Sequence, residues 1–168
     1  MREQRVTAST KEAFYGEDRL SLNSAFTILL VEDNEDHILL IERAFKHGND
    51  LARTDVIIVE DGEKAMDFLY HRREYLDPNR APRPDLILLD IKMPKMNGIE
   101  VLHQLKHDDD LRSIPVVMLT SSRREEDILD CYEAGANSYI TKPPNFHGFI
   151  KTIKTLKSYW LKTTRLPV

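Results

Sequence analysis

Five short apolar runs punctuate this chain: Thr27–Val31, Val56–Val59, Leu86–Leu89, Val116–Leu119 and Ser138–Ile140. Segments with helical spacing separate each run from the next. The runs are continuous and do not alternate with polar residues, as strands buried on both faces require. Strand–helix alternation of this kind predicts a parallel sheet with helices on both sides, and crossover handedness leaves few arrangements. The expected fold is α/β, one doubly wound five-stranded parallel sheet with five helices. A chain of 168 residues suffices for one such domain.

The helices carry recognisable ends. Asn34 can cap the first, whose Ile38, Ile41 and Phe45 share a face. Asp61-Gly62 opens the second, with Ala65, Met66 and Leu69 inward, and Gly98 starts the third, with Val101, Leu102 and Leu105 as its stripe. Ser122 and Glu125 have capping-box spacing for the fourth, which stops at Gly135. The fifth is predicted from about Asn145 to Leu161, with Phe146, Phe149, Ile150, Ile153, Leu156 and Trp160 along one face. These side chains read as core; a dimer face is the alternative for Phe146 and Trp160. Residues 1–24 show no sustained period and are expected to form a flexible extension before a folded unit of 25–163 and a tail of 164–168. Pro78, Pro82 and Pro84 make the connection Leu76–Pro84 stiff and extended.

Parallel strands point their C-terminal ends the same way, and that rim is where open α/β sheets carry their chemistry. Glu32, Asp33, Asp90, Thr120 and Lys142 each follow or end an apolar run, so all are expected there. Taken singly, Glu32-Asp33 reads equally as a turn, Lys142 as a surface lysine and Thr120 as a strand end. Taken together they form a carboxylate cluster with one cation. Acids so close repel by about 4 kcal/mol per pair at ~4 Å and an effective dielectric of ~20. A Mg²⁺ relieves that repulsion while keeping waters for substrate oxygens. Asp90 then becomes a nucleophile toward phosphorus, Lys142 a charge partner and Thr120 a hydroxyl donor.

These residues resemble the receiver domain of bacterial response regulators. The matching segments are Leu29-Leu30-Val31-Glu32-Asp33-Asn34, Glu60-Asp61-Gly62, Leu88 to Pro94, Asn97-Gly98, Met118-Leu119-Thr120 and Tyr139-Ile140-Thr141-Lys142-Pro143. The resemblance implies the flavodoxin-like receiver fold and Asp90 as phosphoacceptor from a histidine kinase or relay protein. It implies Mg²⁺ held directly by Asp33, through water by Glu32, and by Asp90 and the Lys92 backbone carbonyl. Lys142 would pair with the phosphoryl group, its bond to Pro143 being cis. Thr120 and Tyr139 would form a switch that biases the surface of the fourth helix, fifth strand and fifth helix. The loop Asp77–Pro84, Ile114-Pro115-Val116-Val117 and the ending Ser158-Tyr159-Trp160-Leu161 resemble small stand-alone regulators paired with phytochrome-type histidine kinases. Ser121, where the family often has alanine, and Pro144 depart from the pattern.

Other classes fit less well. Phosphatases resembling haloacid dehalogenases carry a second acid two residues after the nucleophile, where this chain has Lys92. The expectation is a signalling protein and not an enzyme. Net charge of −4 in mixed signs argues against direct nucleic-acid binding. No run nears the roughly 20 apolar residues that span a bilayer, and no secretion signal opens the chain, so a cytoplasmic location is expected. The one cysteine, Cys131, reads as a small packed side chain. His103 and His107, one turn apart, read as a solvated face before a metal pair. The chain ends soon after the fifth helix, so the signal is expected to leave through a downstream partner, a homodimer or a phosphorelay.

Overall fold

The computed structural model describes residues 25–46 and 53–166. The expected extension of 1–24 lies outside them, as do 47–52 and 167–168. In chain order the elements are β1 (Phe26–Val31), α1 (Glu35–Lys46), β2 (Thr54–Val59), α2 (Gly62–Leu69), β3 (Leu86–Leu89), α3 (Gly98–His107), β4 (Val116–Thr120), α4 (Glu125–Glu133), β5 (Ser138–Thr141) and α5 (Phe146–Ser158). A single π-type turn, Tyr159–Thr163, extends α5. All five strands are parallel, in the order β2-β1-β3-β4-β5. Strand order therefore reverses between β1 and β3, which opens a crevice at their C-terminal ends.

Alternate residues of each strand feed two separate cores, because successive side chains point to opposite faces. Leu29, Val31, Ile87, Leu89 and Met118 pack with Met66, Phe68, Val101, Leu102, Leu105 and Cys131 of α2, α3 and α4. Ile28, Leu30, Leu86, Leu88 and Leu119 pack with Ile41, Phe45, Phe149, Ile153, Leu156 and Trp160 of α1 and α5. Burial pushes the Cys131 thiol up to about 11, which fits a packed side chain. Lys157 is buried among the second set, and its Nζ donates to the carbonyls of Ala44 (3.3 Å) and Phe45 (2.8 Å) near the C-terminal end of α1.

The caps follow the sequence with one exception. Asn34 accepts from His37 N (3.0 Å), Asp61 from Lys64 N (2.8 Å) and Asn145 from Gly148 N (2.7 Å). Asn97 and Glu100 form a capping box on α3. The capping box expected of Ser122 and Glu125 is absent. The helix starts at Glu125 after Arg124, with no side-chain cap, and Ser122 lies too early to reach its first amides. Three acids in the first turn, Glu125, Glu126 and Asp127, complement the positive end of the helix dipole instead. Phe146 also departs from expectation, being 59% exposed. The helical period carries the apolar stripe back to residue 146, but α5 only begins there, and the ring packs edge-on against His147. Trp160 is core, as its spacing suggested.

Candidate functional site

Three strand ends build the site. The Glu32 amide donates to the Val59 carbonyl (3.0 Å), the Asp90 amide to Val31 (3.0 Å) and the Lys142 amide to Thr120 (2.7 Å). Each ladder bond sets its residue just past the last strand position, and the common direction brings the side chains to one rim. Lys142 Nζ donates to Glu32 Oε2 at 2.5 Å and to Asp90 Oδ2 at 2.8 Å. Glu32 is 1% exposed, and Asp90 and Lys142 are also buried, whereas Asp33 faces solvent. Buried carboxylates need such a partner, since an unpaired buried charge is strongly destabilising.

Oxygens of Glu32, Asp33 and Asp90 all lie within 4.8 Å of one another. Fully ionised, three carboxylates against one ammonium leave two negative charges uncompensated. That excess, on hard oxygen donors with one open side at Asp33, suits a divalent cation. Lys92 N lies 3.3 Å from Asp90 Oδ1, so the turn after β3 wraps the acceptor carboxylate. Gly98 makes the wrap possible: a Cβ there would collide with the Asp90 carbonyl. Lys95, at φ +65, bridges the same turn to Asp61, its Nζ 2.6 Å from Oδ2.

Thr120 is fully buried at the end of β4, and its Oγ1 accepts from Ser122 N (3.3 Å). The Tyr139 hydroxyl donates to the Ser122 carbonyl (3.1 Å), and burial raises its pKa, keeping the phenol a donor. The Lys142–Pro143 bond is trans, the intrinsic preference of an X-Pro peptide, where the resemblance implied cis. One neighbour of the acid cluster escaped the sequence reading. His37 Nδ1 lies 3.2 Å from Lys142 Nζ and 3.4 Å from Glu32 Oε1; its place one turn into the helix behind the acid pair was the available signal. Ser122 lies outside the acid cluster, its amide on Thr120 Oγ1, and that place was hidden behind an apparent capping role.

The model of the response regulator receiver domain matches residues 28–154. The chain belongs to the response regulator receiver family. Response regulator Rcp1 of Synechocystis sp. is 41% identical over 145 residues, 86% of this chain and 95% of Rcp1. Its Mn²⁺-bound crystal structure has a TM-score of 0.79 to this receiver, covering 84% of this chain and 99% of that one. The probable methanogenesis regulatory protein FilR2 of Methanothrix harundinacea is 40% identical over 150 residues, 89% of this chain and 93% of FilR2. The phosphorylated cyanobacterial phytochrome response regulator RcpA matches with a TM-score of 0.81 at 41% identity, covering 86% of this chain and all of that one.

This receiver is thus, like its family, a phosphoaccepting signalling module and not a classical enzyme, with an acid cluster able to coordinate a divalent metal. Among the described residues no helix is long and apolar enough to cross a membrane.

Proposed function

We propose that Asp90 accepts a phosphoryl group from a histidine kinase of the phytochrome type, directly or through a relay protein, with Mg²⁺ held by Glu32, Asp33, Asp90 and the Lys92 carbonyl. One observation carries this reading: Lys142 Nζ bridges the buried carboxylates of Glu32 and Asp90, whose oxygens lie within 4.8 Å of those of exposed Asp33. In the transfer, the phosphorus–nitrogen bond of a phosphohistidine breaks as phosphorus bonds to an Asp90 carboxylate oxygen. The leaving imidazole nitrogen keeps the electron pair and takes a proton from solvent. Such transfers depend on positioning and charge neutralisation more than on a base. Bound Mg²⁺ supplies neutralisation for the phosphoryl oxygens. Lys142, already against Asp90 Oδ2, pairs with another phosphoryl oxygen, and the Thr120 hydroxyl donates to a further one.

The kinase class is supported by the likeness to a regulator described as phytochrome-associated, RcpA. The folded unit of 25–163 works in the cytoplasm, with 1–24 as an extension and 164–168 as a tail. It passes its signal through the face of α4, β5 and α5 to a downstream protein or a second copy, without binding nucleic acid. With Mg²⁺ and a small phosphodonor, the protein should gain one base-labile phosphoryl group, and chelation or Asp90→Asn should abolish it. Undiminished labelling of Asp90→Asn discards the assignment. A phosphotransfer screen across histidine kinases of the same source should favour phytochrome-type donors; equal transfer from unrelated kinases would refute that part.

A further inference from the structure

Ser122 is 2% exposed, and every polar group it owns is engaged. Its amide donates to Thr120 Oγ1 (3.3 Å), its carbonyl accepts from the Tyr139 hydroxyl (3.1 Å), and its own hydroxyl donates to Asp127 Oδ2 at 2.5 Å. Asp127 lies in the first turn of α4 and is only 9% exposed, and this bond is the short one its carboxylate makes, the exposed Arg124 guanidinium standing 4.0 Å from its other oxygen. At the far end of α4, the Tyr132 hydroxyl accepts from the backbone amide of Tyr139 (3.2 Å). The bonds close a circuit from Thr120 through Ser122 and Asp127 into α4, then through Tyr132 to Tyr139 and back to Ser122.

Resting on the phosphoacceptor reading above, we infer that the Ser122–Asp127 hydrogen bond ties α4 to the Thr120 end of the site, making both positioning residues for the output surface. The physical argument is exclusion. Thr120 Oγ1 turning toward a phosphoryl group gives up the Ser122 amide. That buried amide must find a new acceptor, so the loop of 121–124 moves. Ser122 Oγ then carries α4 along, because letting go would leave the Asp127 carboxylate only the looser Arg124 guanidinium, 4.0 Å away. Tyr139 moves with the same carbonyl. Among the described residues neither side chain hydrogen-bonds the acid cluster, and Ser122 reaches Thr120 through its backbone amide, which alanine keeps, so metal binding and labelling should not need the side-chain bond.

The test compares hydrogen exchange across 123–134 with and without Mg²⁺ and beryllofluoride, alongside phosphodonor labelling. Wild type should show a several-fold change in exchange in α4. Ser122→Ala and Asp127→Ala should label to the wild-type extent yet lose more than half of that change. Asp127→Asn, whose amide oxygen still accepts, should keep most of it. A general loss of packing would not spare labelling or be rescued by asparagine. Should the buried variants fail to fold, Tyr132→Phe, at a residue 50% exposed, opens the circuit at its other end and should also shrink the change. An undiminished change in the variants that fold overturns the inference alone, as does a wild type that labels without any α4 response. A wild type that does not label at all overturns the phosphoacceptor reading and this inference with it.

Discussion

Replacing Asp33 with asparagine removes one negative charge from the acid cluster while keeping the side chain's size. Its carboxylate oxygens lie within 4.8 Å of oxygens on Glu32 and Asp90. At that separation two unit charges repel by ~3.5 kcal/mol at an effective dielectric of ~20, and by under ~1 kcal/mol in bulk water. Asp33 is exposed, so the lower figure applies to each of its two pairs. Without metal, Asp33→Asn should therefore stabilise the fold by about 1–2 kcal/mol, or about 3–6 °C in melting temperature. With metal the order should reverse or close. A ligand at ten times its dissociation constant stabilises the folded state by about 1.4 kcal/mol, and the variant, lacking a ligand oxygen charge, should forfeit most of that. Thermal unfolding followed by circular dichroism, in EDTA and in a Mg²⁺ series, reads both effects. A variant that melts below wild type in EDTA, or responds to Mg²⁺ as strongly, would refute the charge argument.

Lys142→Met leaves Glu32 and Asp90 buried without their shared cation, which should cost about 3–5 kcal/mol in urea unfolding under chelation, with partial recovery in Mg²⁺. A loss under ~1 kcal/mol would mean that water already screens the pair. Burial raises the Asp61 pKa, but the Lys95 hydrogen bond, the Lys64 amide and both lysine charges outweigh it and hold the carboxyl below its ordinary value. Its contribution is therefore complete above the unfolded pKa of about 3.9 and disappears as pH falls through the lower folded value. Lys95→Met should lower stability at neutral pH and flatten the acid limb of a urea-midpoint titration; superimposable titrations would contradict this. Gly98→Ala sets a Cβ against the Asp90 carbonyl, so the turn must shift; we expect a loss of ~2 kcal/mol or more and slower phosphodonor labelling, and wild-type values for both would refute the contact.

The sheet was legible because burial on both faces leaves a mark in one dimension. Leu86–Leu89 is a strand in full, and the remaining runs grew by one or two residues at one end. The rim residues were legible for the same reason, since parallel strands share a direction and Glu32, Asp90 and Lys142 sit one step past their ends. Spacing misled where two neighbours compete for one group. Ser122 has a cap's position, yet its hydroxyl meets a buried carboxylate five residues on instead of a helix amide. Phe146 has the core's period, yet the helix that would bury it starts too late.

Local pattern, then, was enough to determine the alternation of strands and helices, the cap at Asn34, the helix starts at Asp61-Gly62 and near Asn145, and the gathering of acids with one lysine. Those follow from backbone geometry and from apolar residues leaving water, both of which act on a few residues at a time. Only the tertiary structure decided that Lys142 bridges two carboxylates, that Lys157 donates to carbonyls of α1, and that Ser122 joins three elements. Each of those contacts links residues far apart in the chain or chooses between competing partners, and the choice depends on which polar group burial would otherwise leave unsatisfied.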